Sequence, residues 1–178
     1  MKTLYVLRHA KSSWKDPYCE DHDRPLSPRG LKAAPLMGQV MIAFDNPPTL
    51  AITSTAKRAH QTAEMLVQIT NTHSLNPIEV VTDQRIYAAP VKQLLHLLRE
   101  LPAHHEATLL IGHNPQLEEL VSFLCFNTTE GGIRMSTGAL ACLTFEINQW
   151  SKLQSGTGVL TALIVPRLAK RIIRQKKK

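Results

Sequence analysis

Arginine and histidine recur where apolar runs of this chain end. Arg8 and His9 close the run "LYVLRH", Lys57 and Arg58 follow "LAITS" within a few residues, and His113 closes "LLIGH". An arginine offers a planar fork of donors matched to a phosphate or carboxylate. A histidine, with an unperturbed pKa of about 6.5, is largely neutral near pH 7. Lys57 and Arg58 fall in the first turn of a helical pattern, where a cation opposes the macrodipole by a few tenths to about 1 kcal/mol. An anion held at that turn removes the conflict. Each residue taken singly has a plain structural use, as a loop histidine, a solvated arginine or a helix start. Their joint placement is what points to an anion site.

The elements that must position these groups are legible from periodicity. "KTLYVLR", "LAITS", "IEVVT" and "ATLLIGH" read as strands, and "GALACLTFEI" and "GVLTALIVP" as a late hairpin. Between them "SPRGLKAAPLMGQVMIAF" opens a helix with Ser27 as cap and Pro28 at its first position; Pro35 and Gly38 interrupt its pattern, which predicts an irregular or bent helix. "AKRAHQTAEMLVQIT" and "PVKQLLHLLREL" read as helices, and "NPQLEELVSFLCF" as a helix capped by Asn114 with Pro115 first. Alternating strands and helices predict an α/β fold, a three-layer αβα sandwich around a mostly parallel mixed sheet. Ligands of such sheets bind beyond the carboxyl ends of the strands, where Arg8, His9, Arg58 and His113 all lie.

Composition narrows the class. The chain has 178 residues, enough for one sizeable core, with 43% apolar and 20% charged residues. It has no apolar stretch of about 20 residues and no leader-like beginning, so a cytoplasmic location is expected. Cys19, Cys125 and Cys142 are odd in number and widely spaced, which predicts reduced thiols and neither a disulfide framework nor a zinc site. The net charge of +7 has a local origin: "PRLAKRIIRQKKK" carries seven basic residues and no acid, and the rest of the chain balances. The domain reading is therefore residues 1–169 as one domain and 170–178 as a basic C-terminal tail.

The segments "LRHAKSSW", "DHDRPLSPRG", "STAKRAHQTAE" and "LLIGHNPQLEELVSFL", in this order and joined by "STGALACL" and the late Pro166, resemble the histidine phosphatase superfamily. This is the phosphoglycerate-mutase-like fold, and the resemblance is to its small SixA-type phosphohistidine phosphatase branch. It covers nearly the whole chain up to about Lys170. It implies His9 as the nucleophile that becomes phosphorylated, Arg8 and Arg58 as clamps on the phosphoryl oxygens, and His113 as a further donor, with Ser12 as an additional phosphate-binding group. It implies no cofactor and no metal, and His9, His22, His60 and His113 lack ligand spacing such as HExxH.

Departures from the family pattern bear on the substrate. Ala10 stands where a glycine is usual, a change found in the SixA-type branch, and Ser54 is followed by Thr55 where a proline is common. Many members carry a carboxylate after the third strand as general acid for an alcohol leaving group, and "RIYAAP" has none. Losing such an acid costs about 10²- to 10⁴-fold in rate, whereas an imidazole nitrogen, with a pKa of about 6.5, leaves readily near neutral pH. The expected activity is hydrolysis of phosphohistidine on a protein, with a histidine phosphotransfer domain as candidate partner, through a phosphohistidine enzyme intermediate. The alternative is a phosphatase of small phosphate monoesters with Asp16, Asp21 or Asp23 of the first loop as general acid. A third reading gives the basic tail the main role, gripping nucleic acid or an anionic membrane beside a vestigial site.

Overall fold

The computed structural model describes residues 1–73 and 76–175; the last three lysines of the tail lie outside the described residues. Its strands are β1 (Lys2–Arg8), β2 (Leu50–Thr53), β3 (Glu79–Thr82), β4 (Ala107–Gly112), β5 (Leu140–Phe145) and β6 (Val159–Ile164). They form one sheet in the order β3-β2-β4-β1-β5-β6. The first four of these pair in parallel, while β5 runs antiparallel to both β1 and β6. The helices are α1 (Pro28–Met41), α2 (Lys57–Asn71), α3 (Val91–Arg99), α4 (Gln116–Phe126) and α5 (Pro166–Gln175).

Alternation along each central strand builds a core on both faces of the sheet. Leu4 and Val6 of β1 and Leu110 of β4 pack with Leu94, Leu98, Leu117 and Leu120 of α3 and α4. Tyr5 and Leu7, with Leu109 and Ile111, pack on the opposite face with Met37 and Met41 of α1, Leu66 of α2 and Ala169 of α5. The result is the three-layer αβα sandwich expected from the sequence.

α1 begins as read, with Pro28 at its first position and the Ser27 hydroxyl accepting from the Gly30 amide at 3.2 Å. Pro35 and Gly38 interrupt its sequence pattern without ending it, and the helix is continuous through both. Gly38 is a packing feature: a Cβ there would lie 2.6 Å from the Leu66 carbonyl oxygen and 2.9 Å from Ile69 Cβ, so its absence lets α1 and α2 touch. At the other end of the chain, α5 continues a single helix across the expected boundary at 169/170, with Ala169 buried against α1 and the sheet. Among the described residues no helix is long and apolar enough to cross a membrane.

Candidate active site

Strand register brings the chemistry together. Arg8 sits opposite Gly112 and Thr53 opposite Ile111, so the residues that leave β1, β2 and β4 emerge at the same edge of the sheet. The His9 amide donates to the Gly112 carbonyl at 3.0 Å, and the Ser54 amide to the Ile111 carbonyl at 3.1 Å. β1 and β4 are neighbours, yet the chain leaves β1 toward β2 and leaves β4 toward β5. That divergence opens a crevice of the kind in which α/β sheets hold ligands.

His9 lies on the floor of this crevice, buried. Its Nδ1 is 2.7 Å from the carbonyl oxygen of Ala10. A carbonyl oxygen only accepts, so Nδ1 carries the proton and Nε2 keeps its lone pair. Arg58 Nε–H points at that nitrogen from 3.4 Å. Burial above all, and then the charges of Arg58 and Arg8, lower the His9 pKa to about 4 despite the bond to Ala10. The imidazole is thus neutral at pH 7, with its free nitrogen turned toward a guanidinium.

The surrounding segments fix this geometry through the backbone. The Ala10 amide donates to Thr62 Oγ1 of α2 at 3.1 Å, and that hydroxyl donates to the Arg58 carbonyl at 2.6 Å. Gly138, in a left-handed conformation with φ of 77°, donates its amide to the carbonyls of Arg8 and His9 at 3.0 and 3.1 Å. Arg8 Nη1 donates to the Met135 carbonyl at 2.8 Å, and the Met135 amide is anchored on Glu118 Oε1 at 2.6 Å. A loop distant in sequence therefore aims Arg8.

His113 stands across from His9, with ring centroids 5.0 Å apart. Its Nε2 is 2.9 Å from Ser54 Oγ; that hydroxyl accepts from the Ala56 amide, and with its own proton given to Nε2 the ring proton of His113 sits on Nδ1, where it can be donated to an anion. Burial first, then the neighbouring His9 and the two arginines, lower its pKa to about 3. His113 Nδ1 and Arg8 Nε are both buried without a hydrogen-bond partner among the described residues. Leaving such groups unpaired costs about 1–3 kcal/mol each, which fits a crevice that receives the oxygens of an anion.

The first-loop residues separate clearly. Asp21 reaches the site: its carboxylate accepts from Arg58 Nη2, Arg24 Nη1 and the Tyr87 hydroxyl, each at 2.9 Å, and its carbonyl accepts from Arg58 Nη1. Partial burial works against ionisation there, but the Tyr87 hydroxyl and the arginines prevail and hold the carboxyl below its usual range. Asp16 is exposed and accepts from the Tyr18 amide; Asp23 is exposed and pairs with His22 at 3.3 Å. Neither carboxylate bonds to Arg8, His9, Arg58 or His113. Ser12 is buried behind this group, its hydroxyl accepting from Arg24 Nη2 at 2.9 Å. Lys57, beside Arg58 in sequence, is exposed and lines a different hollow with Ser13 and Asp16.

The expected Asn114 cap does not form. α4 starts after Pro115 with no side chain capping it; Asn114 Nδ2 donates to the Met135 carbonyl at 3.0 Å, the same oxygen that holds Arg8, and its Oδ1 is buried without a partner among the described residues. Sequence reasoning also missed Tyr87, Met135, Glu118, Thr62 and Ser54 as parts of the site. Tyr87 lies in the very segment, "RIYAAP", that was read for its lack of a carboxylate; it packs edge-on against His113 and His22 and bonds Asp21.

Comparison with known proteins gives a consistent picture. The model of the histidine phosphatase superfamily (branch 1) matches residues 4–87. An uncharacterised protein of Mycobacterium tuberculosis (strain H37Rv) is 28% identical over 168 residues, covering 90% of this chain and all of that protein. A Nakamurella multipartitia protein assigned as SixA has a structure that superposes with a TM-score of 0.78 at 25% identity, covering 93% of this chain and 96% of its own. The protein histidine phosphatase SixA complexed with tungstate matches with a TM-score of 0.75 at 22% identity, over 93% and 97%. At 16% identity, alpha-ribazole phosphatase from Shigella flexneri shares the fold with a TM-score of 0.69, over 92% and 96%.

Proposed function

Since this chain belongs to the histidine phosphatase superfamily, in its SixA-type branch, and is a phosphatase, we propose that its substrate is phosphohistidine carried on a protein. His9 Nε2 attacks phosphorus, the substrate imidazole departs, and the phosphoryl group passes to His9. Arg8, Arg58 and His113 contact the phosphoryl oxygens as charge spreads over them, positioning and electrostatics being most of what such transfer needs. Water then cleaves the phosphohistidine of the enzyme, releasing phosphate and restoring neutral His9.

The state of Asp21 carries the choice of substrate. Among the described residues it is the carboxylate hydrogen bonded to this group, and it is spent on Arg58, Arg24 and Tyr87 in its ionised form. An ionised carboxylate holds no proton to give to a departing alkoxide. A phosphohistidine needs no such donor, because its other ring nitrogen, with a pKa of about 6.5, takes a proton from solvent near neutrality and the ring then departs as neutral imidazole.

The test is phosphate release from a phosphohistidine-bearing protein domain beside a panel of sugar and nucleotide phosphomonoesters, with wild type and His9→Ala. Faster release from phosphohistidine, abolished in the variant together with an acid-labile phosphoenzyme, is the expected result. Preferential turnover of a monoester would overturn the substrate assignment.

A further inference from the structure

α1 and α5 meet along a cleft of about 450 Å³ with four cations on its walls, Arg29 and Lys32 from α1 and Arg167 and Lys170 from α5, over a floor that includes Ala33 and Leu36. All four cations are exposed, and none forms an ion pair with a described residue. Neither helix contains an acid. Unneutralised cations facing one another across a cleft repel, and such an arrangement is favourable only toward an anionic partner.

The cleft adjoins the nucleophile. The amide and hydroxyl of Ser27, at the head of α1, both donate to the Lys11 carbonyl, at 2.8 and 2.9 Å, two residues beyond His9. Pro166, at the head of α5, lies where a Cβ on Gly138 would be 2.9 Å from its ring, and Gly138 is the residue whose amide binds the carbonyls of Arg8 and His9. Both cationic walls thus begin beside the segment that carries the nucleophile. The apolar side chains that α5 exposes, Leu168 and Ile172, lie on its other flank by helical spacing, apart from the cationic stripe.

We propose that this cleft is the docking surface for an acidic segment of the phosphoprotein substrate, a proposal that rests on the phosphohistidine reading above. It supplies what the small catalytic crevice lacks, a charged track that selects and orients a macromolecule while contributing nothing to a free phosphorylated amino acid. Long-range attraction to it raises the encounter rate and falls with ionic strength.

The experiment uses the full chain and two probes: a histidine-phosphorylated protein domain of net negative charge, and phosphohistidine as the free amino acid. In Arg29→Glu/Lys32→Glu, kcat/KM for the domain falls about tenfold, and adding Arg167→Glu/Lys170→Glu takes it to about a hundredfold, chiefly through KM. Turnover of the free amino acid stays within about twofold of wild type, and the difference on the domain shrinks at high salt. Equal losses on both probes, or no loss on the domain, would overturn the proposal. So would binding to phosphatidylserine vesicles that depends on these four residues while the domain kinetics are unchanged, which would assign the cleft to a membrane surface. Anisotropy with the unphosphorylated domain separates docking from chemistry. If neither probe is hydrolysed, the substrate assignment falls, while binding that is lost in the fourfold variant still supports the cleft and binding that survives there overturns it.

Discussion

At His9 the two ring nitrogens have different environments, and the chemistry depends on the difference. Nδ1 is committed to the Ala10 carbonyl, and Nε2 is unprotonated and accepts from Arg58 Nε–H at 3.4 Å. With the pKa lowered to about 4, titration of His9 should add no inflection to kcat/KM between pH 8 and 6 and should lower it only as pH approaches that value, whereas an inflection near 6.5 belongs to the substrate imidazole. The same depression is a stability statement. Unfolded histidine takes up its proton near pH 6.5, and the folded protein withholds one from His9 until about 4 and from His113 until about 3. The contribution is fully present above about pH 6.5 and is lost as pH falls through the folded values, on the order of 3 kcal/mol for His9. Urea unfolding at pH 7.5 and 4.5 tests this: wild type should lose more stability than His9→Phe, and equal losses would contradict it. Asp21 gives a second test at this scale. Asp21→Asn should leave phosphohistidine turnover within about threefold of wild type, whereas a general acid would lose about 10²- to 10⁴-fold. A loss of that size would move the reading to the monoester alternative.

Elements matter here through where they touch. α1 reaches the segment after His9 through Ser27 and is held to α2 at Gly38, and α2 in turn carries Arg58 and Thr62. The contact at Gly38 leaves no room for a methyl group beside the Leu66 carbonyl. Gly38→Ala gains helix propensity of about 1 kcal/mol but forces the helices apart, and overpacking of this kind costs about 1–3 kcal/mol. We expect a net loss in denaturant unfolding together with a reduced kcat/KM, since the shift reaches Arg58 through α2. Stabilisation by this substitution would show that the helix pair is not close-packed there.

At the scale of the whole molecule, the single sheet with a core on each face argues that residues 1–169 unfold as one unit, with α5 folded onto it. Trp150 is fully buried, and Trp14 is exposed under the guanidinium of Arg24, whose carbon lies 3.0 Å from its ring centroid. In a Trp14→Phe variant the remaining fluorescence reports on the core around Trp150, and its transition should coincide with that of helix content by circular dichroism. Two separated transitions would divide the domain.

The sequence alone determined the alternation of strands and helices, the sandwich, and the placement of Arg8, His9, Arg58 and His113 at strand ends. All of these follow from local periodicity and from the rule that open α/β sheets work at their carboxyl edge. It also showed that "RIYAAP" offers no acid. Tertiary structure decided what depends on side chains meeting across the fold. It turned Arg58 inward and Lys57 outward, took Asp21 and left Asp16 and Asp23 in solvent, and drew Asn114 from its cap to the carbonyl that aims Arg8. It also folded four of the tail's basic residues, Arg167, Lys170, Arg171 and Arg174, into a helix that completes a cationic cleft with α1. Such choices rest on hydrogen bonds and charge pairs between residues tens of positions apart, which no local pattern encodes.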